Sequence, residues 1–367
     1  MSISFRLHSL EIPLVRPFRT SFGSQSVRDV VLVEAISESG VSGWGECVTM
    51  AWPGYSPEYT AGALDVMQKF LIPDLVPLLD TTPEPDAVRA AMESEQGHPM
   101  AKAALSTALL DLWLKERQQS LGEYLGAVRE RIDCGVSVGI PTSLDSLLEE
   151  VGSYIAQGYR RIKLKIEPGW DLEPVRVVRE TWPDIPLQVD ANQAYGRHDG
   201  AHLAHLDPFN LILIEQPLPE DDILGHALIS KTVATPICLD ESILSVASAE
   251  GAIEFGATTI INIKPGRVGG YLTSKEIHDL CISRDIPVWC GGMLETGVGR
   301  AANLALAGLP GFTVIGDTSA SSRYYAEDVT APFVLEDGQL AVPTGPGIGV
   351  EPIPANLEGM SVGLITV

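Results

Sequence analysis

The 367-residue chain has no uninterrupted apolar run of about eighteen residues, and its opening stretch, MSISFRLHSLEIPLV, is broken by polar residues and Pro13. Neither a membrane span nor a secretory signal is expected, which places the protein in the cytoplasm. Positive charge is scarce: 25 Lys and Arg stand against 48 Asp and Glu, giving a net charge of -23 and a pI near 4.6. Nucleic acids and anionic membranes need a basic surface, so both are excluded as partners. A small anionic substrate is not, because it needs only local cations. Cys47, Cys134, Cys238, Cys281 and Cys290 are odd in number, dispersed and mostly set in apolar strand-like segments. No disulfide and no zinc site are expected from them.

What is present is organised in two grammars. Residues 3–16 and 29–37 alternate like strands, and GWGEC after Gly40 reads as the return of a hairpin. RPFRTSFGSQSV between the first two is long for a tight turn and reads as a loop over a site. From His98 to Gln118 apolar residues recur at helical intervals: Met100, Ala104, Leu105, Ala108, Leu109, Leu112 and Trp113. Residues 1–130 therefore form an α+β region. From Asp133 strands and helices alternate, with strands expected near 134–140, 160–166, 187–190, 211–215, 237–240, 259–263, 288–290 and 312–315. The first helix is capped near Ser143 and stopped by Gly158. Eight such units predict an α/β fold, a (β/α)8 barrel over 131–320, in preference to a doubly wound open sheet. The Pro- and Gly-rich stretch 321–367 is expected to fold back on the first region.

Charged residues close successive apolar runs: Lys165, Asp190, Glu215, Asp240 and Lys264, spaced by 25, 25, 25 and 24 on subtraction. In a barrel all five gather at one rim, where enzymes of this architecture keep their chemistry. Lys163 and Lys165 share a strand face, and like charge with burial should lower a lysine pKa toward that of a base. Three carboxylates in a water-poor pocket must be protonated, paired or wrapped around a cation. An all-oxygen set with no histidine in register favours a hard ion, Mg²⁺ before Mn²⁺, over zinc. Lys264 lies across the ring from Lys165, so a substrate carbon acid between them could lose a proton on one face and regain one on the other.

KLK, VDAN, IEQP, LDES and NIKPGRVGG, in that order, resemble the enolase superfamily, in its muconate-lactonizing-like branch. GWGE, FRTSFG, RIKLKIEPGWD and VWCGGMLETGVGRAAN extend the likeness, which is strongest to the o-succinylbenzoate synthases that also racemise N-acylamino acids. The resemblance implies a modified, enolase-type barrel with an N-terminal capping domain completed by the C-terminal segment, and a small-molecule carboxylate as substrate. It implies Asp190, Glu215 and Asp240 as Mg²⁺ ligands and Lys165 and Lys264 as the acid/base pair. Superfamily sites of this kind use a Lys or His base with Mg²⁺ stabilising an enediolate. Lys163, Asn192, Ser137, Gly292 and Met293 are implied near the substrate, with Phe18, Arg19, Thr20, Phe22, Met50 and Tyr55 as a lid. Glu241 is implied as a partner of the Lys264 ammonium. Relatives form homo-oligomers, often octamers, and the same is expected here.

Other features carry less. His198, His202 and His205 share a helix face, read as solvated or partly packed and not as a metal site. Gly345, Gly347 and Gly349 lack the strand-turn-helix setting of a dinucleotide loop. A dipeptide epimerase is disfavoured because Asp317-Thr318-Ser319 replaces the DxD pair such enzymes carry. Muconate lactonisation finds no clear support in the pocket residues. A non-catalytic barrel would be expected to have lost one of the five polar residues, and all are present.

Overall fold

The computed structural model describes residues 3–367. Strands β1 (Ser4–Thr20), β2 (Gly23–Ile36) and β3 (Ser42–Cys47) come first. Two short strands follow, β4 (Arg131–Asp133) and β5 (Gly135–Val138), and then β6 (Arg161–Lys165), β7 (Leu187–Asp190), β8 (Ile214–Glu215) and β9 (Ile237–Leu239). The last four are β10 (Ile260–Ile263), β11 (Val288–Cys290), β12 (Gln339–Ala341) and β13 (Ser361–Thr366). β13, β1, β2 and β3 make an antiparallel sheet in that order, β5 to β11 a seven-stranded parallel sheet in sequence order, and β12 pairs with β4. No helix among the described residues is long and apolar enough to cross a membrane.

The segment expected as a loop between the first strands is a continuous hairpin. Phe18, Arg19 and Thr20 pair with Gln25, Ser24 and Gly23, after a register break between Pro13 and Phe18. Pro13 and Pro17 lack the N–H a ladder needs, so the strand bulges there and resumes.

The long helix Pro99–Glu116 is buried on two sides. Met100, Ala104, Leu105, Ala108, Leu109 and Leu112 enter the capping core, while Leu110 and Leu114 enter the core shared with the barrel. β3 lies so close to it that a Cβ on Gly43 would stand 2.2 Å from Ala108 O, and one on Gly45 2.0 Å from Ala104 O. The glycines of GWGE are thus set by backbone contact.

In the barrel each strand sends alternate residues to opposite faces. Ile162, Leu164, Val189, Ile214, Leu239 and Ile261 join the outer core under the helices, whereas Leu213, Cys238, Ile260 and Trp289 form a separate cluster within the ring. The helix Leu144–Ala156 starts where expected, with Ser143 accepting from Ser146 N. The eighth segment departs from expectation: it forms no regular strand. Residues 312–316 close the ring through single bridges, Phe312 to Val288 and Gly316 to Cys134, and Asp317 N donates to Cys290 O at 2.9 Å. A Cβ on Gly316 would stand 2.5 Å from Cys290 O, so the chain crosses too close for a ladder of side chains. All five cysteines are buried and free.

Candidate active site

β6, β7 and β8 end at one level because Lys165 pairs in register with Asp190, and Asp190 with Glu215. Asp240 and Lys264 directly follow β9 and β10. All five side chains are buried.

Of the three ways to accommodate the acids, the structure displays pairing. Lys165 Nζ donates to Asp190 at 2.6 Å and to Asn192 Oδ1 at 2.7 Å. Lys163 Nζ reaches Asp317 at 2.5 Å, Glu215 at 3.0 Å and Asp190 at 3.4 Å. Lys264 Nζ donates to Asp240 at 2.9 Å and to the Tyr55 hydroxyl at 3.1 Å, and Arg267 donates to both of the same groups. Burial alone would raise the Asp190 and Asp240 carboxyls, yet the cations beside them hold both below the usual range. Glu215 goes the other way, pushed up by burial and then by Asp190, with Lys163 opposing.

The lysine expectation needs correcting. Burial does favour the neutral amine of Lys163, but Asp317, Glu215 and Asp190 outweigh it and hold the ammonium above its ordinary range. Lys264 is likewise held high, chiefly by Asp240 against the effect of burial. The sequence suggested neighbouring like charge, but Lys163 meets three carboxylates and Lys264 is paired with Asp240.

A narrow cleft opens over this rim, lined among others by Phe18, Met50, Tyr55, Lys165, Lys264 and Met293. Thr20, Phe22, Asn192 and Gly292 line it as well, so the hairpin tip and the segment after β11 come to the lysines. Three expected residues lie elsewhere. Arg19 turns outward to Glu167 at 2.7 Å, since its neighbours Phe18 and Thr20 take the inward face of the strand. Ser137 and Lys163 are register partners deeper in the ring, and the buried Ser137 Oγ has no hydrogen-bond partner. Glu241 bonds Asn192 Nδ2 at 3.1 Å and makes no hydrogen bond to Lys264, whose donors go to Asp240 and Tyr55.

Sequence reading took Asp317 only as part of the Asp317-Thr318-Ser319 run, and it missed Arg161 and Arg267. Asp317 accepts from Arg161 at 2.8 Å as well as from Lys163, and it stands at the end of the eighth segment as the other acids stand at the ends of their strands. That register was the available signal. Arg267 sits among turn glycines in KPGRVGG, and nothing in its spacing marks it.

The donor set suits a hard divalent cation: three buried carboxylates on successive strands, one of them driven toward its neutral form by burial and then by the other two. As they stand, no three His, Cys, Asp or Glu side chains among the described residues are grouped to hold an ion, because lysines lie between the acids. A cation here would replace ammonium contacts.

Known proteins resemble the chain over nearly all of its length. Residues 3–126 match the mandelate racemase / muconate lactonizing enzyme N-terminal domain, and residues 146–356 the enolase C-terminal domain-like family. An N-succinylamino acid racemase from Amycolatopsis is 57% identical, covering 96% of this chain and 95% of that one. An o-succinylbenzoate synthase from Geobacillus kaustophilus is 46% identical over 94% and 92%. The crystal structure of an enolase-superfamily member from Listeria innocua superposes with a TM-score of 0.95 at 39% identity, covering 100% of this chain and 98% of that one. Members of the superfamily depend on a divalent metal, and two domain matches and a near-complete superposition around one rim of acids and lysines place this chain in it: it belongs to the mandelate racemase / muconate lactonizing enzyme family of the enolase superfamily.

Proposed function

We propose that the chain moves the proton α to a substrate carboxylate, acting as an o-succinylbenzoate synthase and, at the same site, as an N-succinylamino acid racemase. The observation that carries the reading is the position of Lys165 and Lys264 at the mouths of β6 and β10, with β7, β8, β9 and the three acids between them. The relatives at 57% and 46% identity, an N-succinylamino acid racemase and an o-succinylbenzoate synthase, point to the two reactions.

Asp190, Glu215 and Asp240 would hold Mg²⁺, or Mn²⁺ in its place. Bound there, the cation supplies the positive charge that makes a proton next to a carboxylate acidic.

In the elimination from 2-succinyl-6-hydroxy-2,4-cyclohexadiene-1-carboxylate, the Lys165 amine takes the α-proton and becomes an ammonium. It then gives that proton to the departing hydroxyl on the same face, so water leaves and the ring becomes aromatic. Lys264 stays cationic, held by Asp240 and Tyr55, and faces the negative charge of the intermediate. In racemisation one lysine removes the α-proton and the other donates from the opposite face. The apolar side chains of Phe18, Met50 and Met293 exclude water around the carbon acid.

The test is a paired kinetic assay of the Mg²⁺-loaded protein on the cyclohexadiene carboxylate and on an N-succinylamino acid. Turnover of both is expected, and turnover of neither would overturn the proposal. The identity to the Amycolatopsis racemase favours racemisation as a true second activity. Elimination with no exchange of the α-proton of N-succinylamino acids for solvent deuterium would remove that part.

A further inference from the structure

The segment from Met50 to Tyr59 brings Met50 and Tyr55 to the cleft without forming a regular helix or strand. Its base is pinched. Met50 and Tyr59 form a lone bridge, Thr60 N donates to Met50 O at 2.9 Å, and Thr60 Oγ1 donates to the same oxygen at 3.0 Å. Beyond the pinch the Tyr55 hydroxyl donates to Asp240 at 3.2 Å and accepts from Lys264 and Arg267, each at 3.1 Å.

One further tie fixes the segment. The buried Glu58 carboxylate accepts from Met100 N at 2.8 Å and from Ala101 N at 3.2 Å. These are first-turn donors of the helix Pro99–Glu116. That helix has Pro99 at its start and His98 as a cap residue whose side chain makes no capping bond. A helix beginning on proline with no local cap leaves such donors open to an acceptor from outside, and a carboxylate is favoured at that end. Burial pushes the Glu58 carboxyl up to about 7, while the Met100 and Ala101 N–H groups and then Lys102 pull it back. Its place is therefore held by the helix end, against the cost of burial.

We infer that Glu58 is a positioning residue: by capping the helix Pro99–Glu116 it fixes the Met50–Tyr59 segment and so holds Tyr55 against Lys264 and Asp240. The inference rests on the proposed function only in treating Tyr55 as part of the reacting cleft. Glu58 itself touches neither lysine, and it is absent from the lining of the cleft.

The experiment joins a readout independent of turnover to one that depends on it. In Glu58→Ala, amide exchange across residues 50–59 should quicken about tenfold relative to the wild-type protein, the size expected for loss of a helix cap. The interior of the helix, residues 104–114, should stay protected. Glu58→Gln keeps one acceptor and should fall between, and it serves as the test if the alanine variant does not fold. With an N-succinylamino acid as substrate, Glu58→Ala should raise KM about tenfold with kcat changed less than about threefold. In a Tyr55→Phe background the same substitution should leave KM nearly unmoved, because the two act in series. Unchanged exchange across 50–59, or an equal KM rise in both backgrounds, would overturn the inference. If the wild-type protein turns over neither substrate, the functional proposal fails, and the exchange data still decide the anchor.

Discussion

The Lys163 ammonium lies 2.5 Å from an Asp317 oxygen, and the other oxygen of that carboxylate takes a bond from Arg161 at 2.8 Å. The eighth segment, which forms no ladder of its own, is thus tied to β6 by charge inside the ring. Removing one partner of a buried pair leaves the others uncompensated, so Asp317→Asn should cost about 3 to 5 kcal/mol. Chemical denaturation of the variant checks this. A change under about 1 kcal/mol would mean that water compensates the two cations.

Lys165→Ala should abolish both activities, since the same amine begins each. Lys264→Arg keeps a cation near Asp240 but offers no usable base, so racemisation should fall at least about tenfold more than elimination. Paired kcat values on the two substrates measure the ratio. Equal losses would contradict the separate roles.

Chelation with EDTA should silence turnover, and Mg²⁺ should restore it. Glu215→Gln removes one charged oxygen donor and should weaken Mg²⁺ binding at least about tenfold, read by titration calorimetry without substrate. Undiminished affinity would exclude Glu215 as a ligand.

Glu46, on β3, accepts from Thr296 N, Thr296 Oγ1 and Gly299 N at the start of the helix Gly297–Ala307. Burial, then Glu295, pushes its carboxyl from 4.5 up to about 7. Between those values the folded chain holds a proton that the unfolded chain has released. Stability from this group is therefore greatest below about pH 4.5, falls as pH rises toward about 7, and is level above, for a total near 3 kcal/mol. Thermal midpoints of the wild-type protein minus those of Glu46→Gln should decrease from pH 5 to pH 8. A difference that rises with pH would reverse the sign of the argument.

Much of the site was legible because a strand-helix unit of nearly constant length carries its last residue to the same rim each time. Lys165, Asp190, Glu215, Asp240 and Lys264 declared themselves by that register, and Asp317 obeys it although it was weighed only as part of a motif. Arg267 and Glu58 were not legible: Arg267 reaches Asp240 and Tyr55, Glu58 reaches the start of a distant helix, and no period encodes such contacts. The hairpin at Phe18 to Gln25 was hidden by two prolines, which read as a break although the ladder resumes beyond them. The direction of the Lys163 shift needed the acids on other strands, which only the closed ring brings together.

β13 pairs with β1, and Phe5 and Val367 exchange both backbone bonds, at 3.0 and 2.9 Å. During synthesis the outer edge of β1 is made well ahead of β13, the strand that covers it, with the whole barrel between them in sequence. Until β13 is made that edge is an open template for other nascent chains, and the first sheet is completed only after the barrel strands have been made.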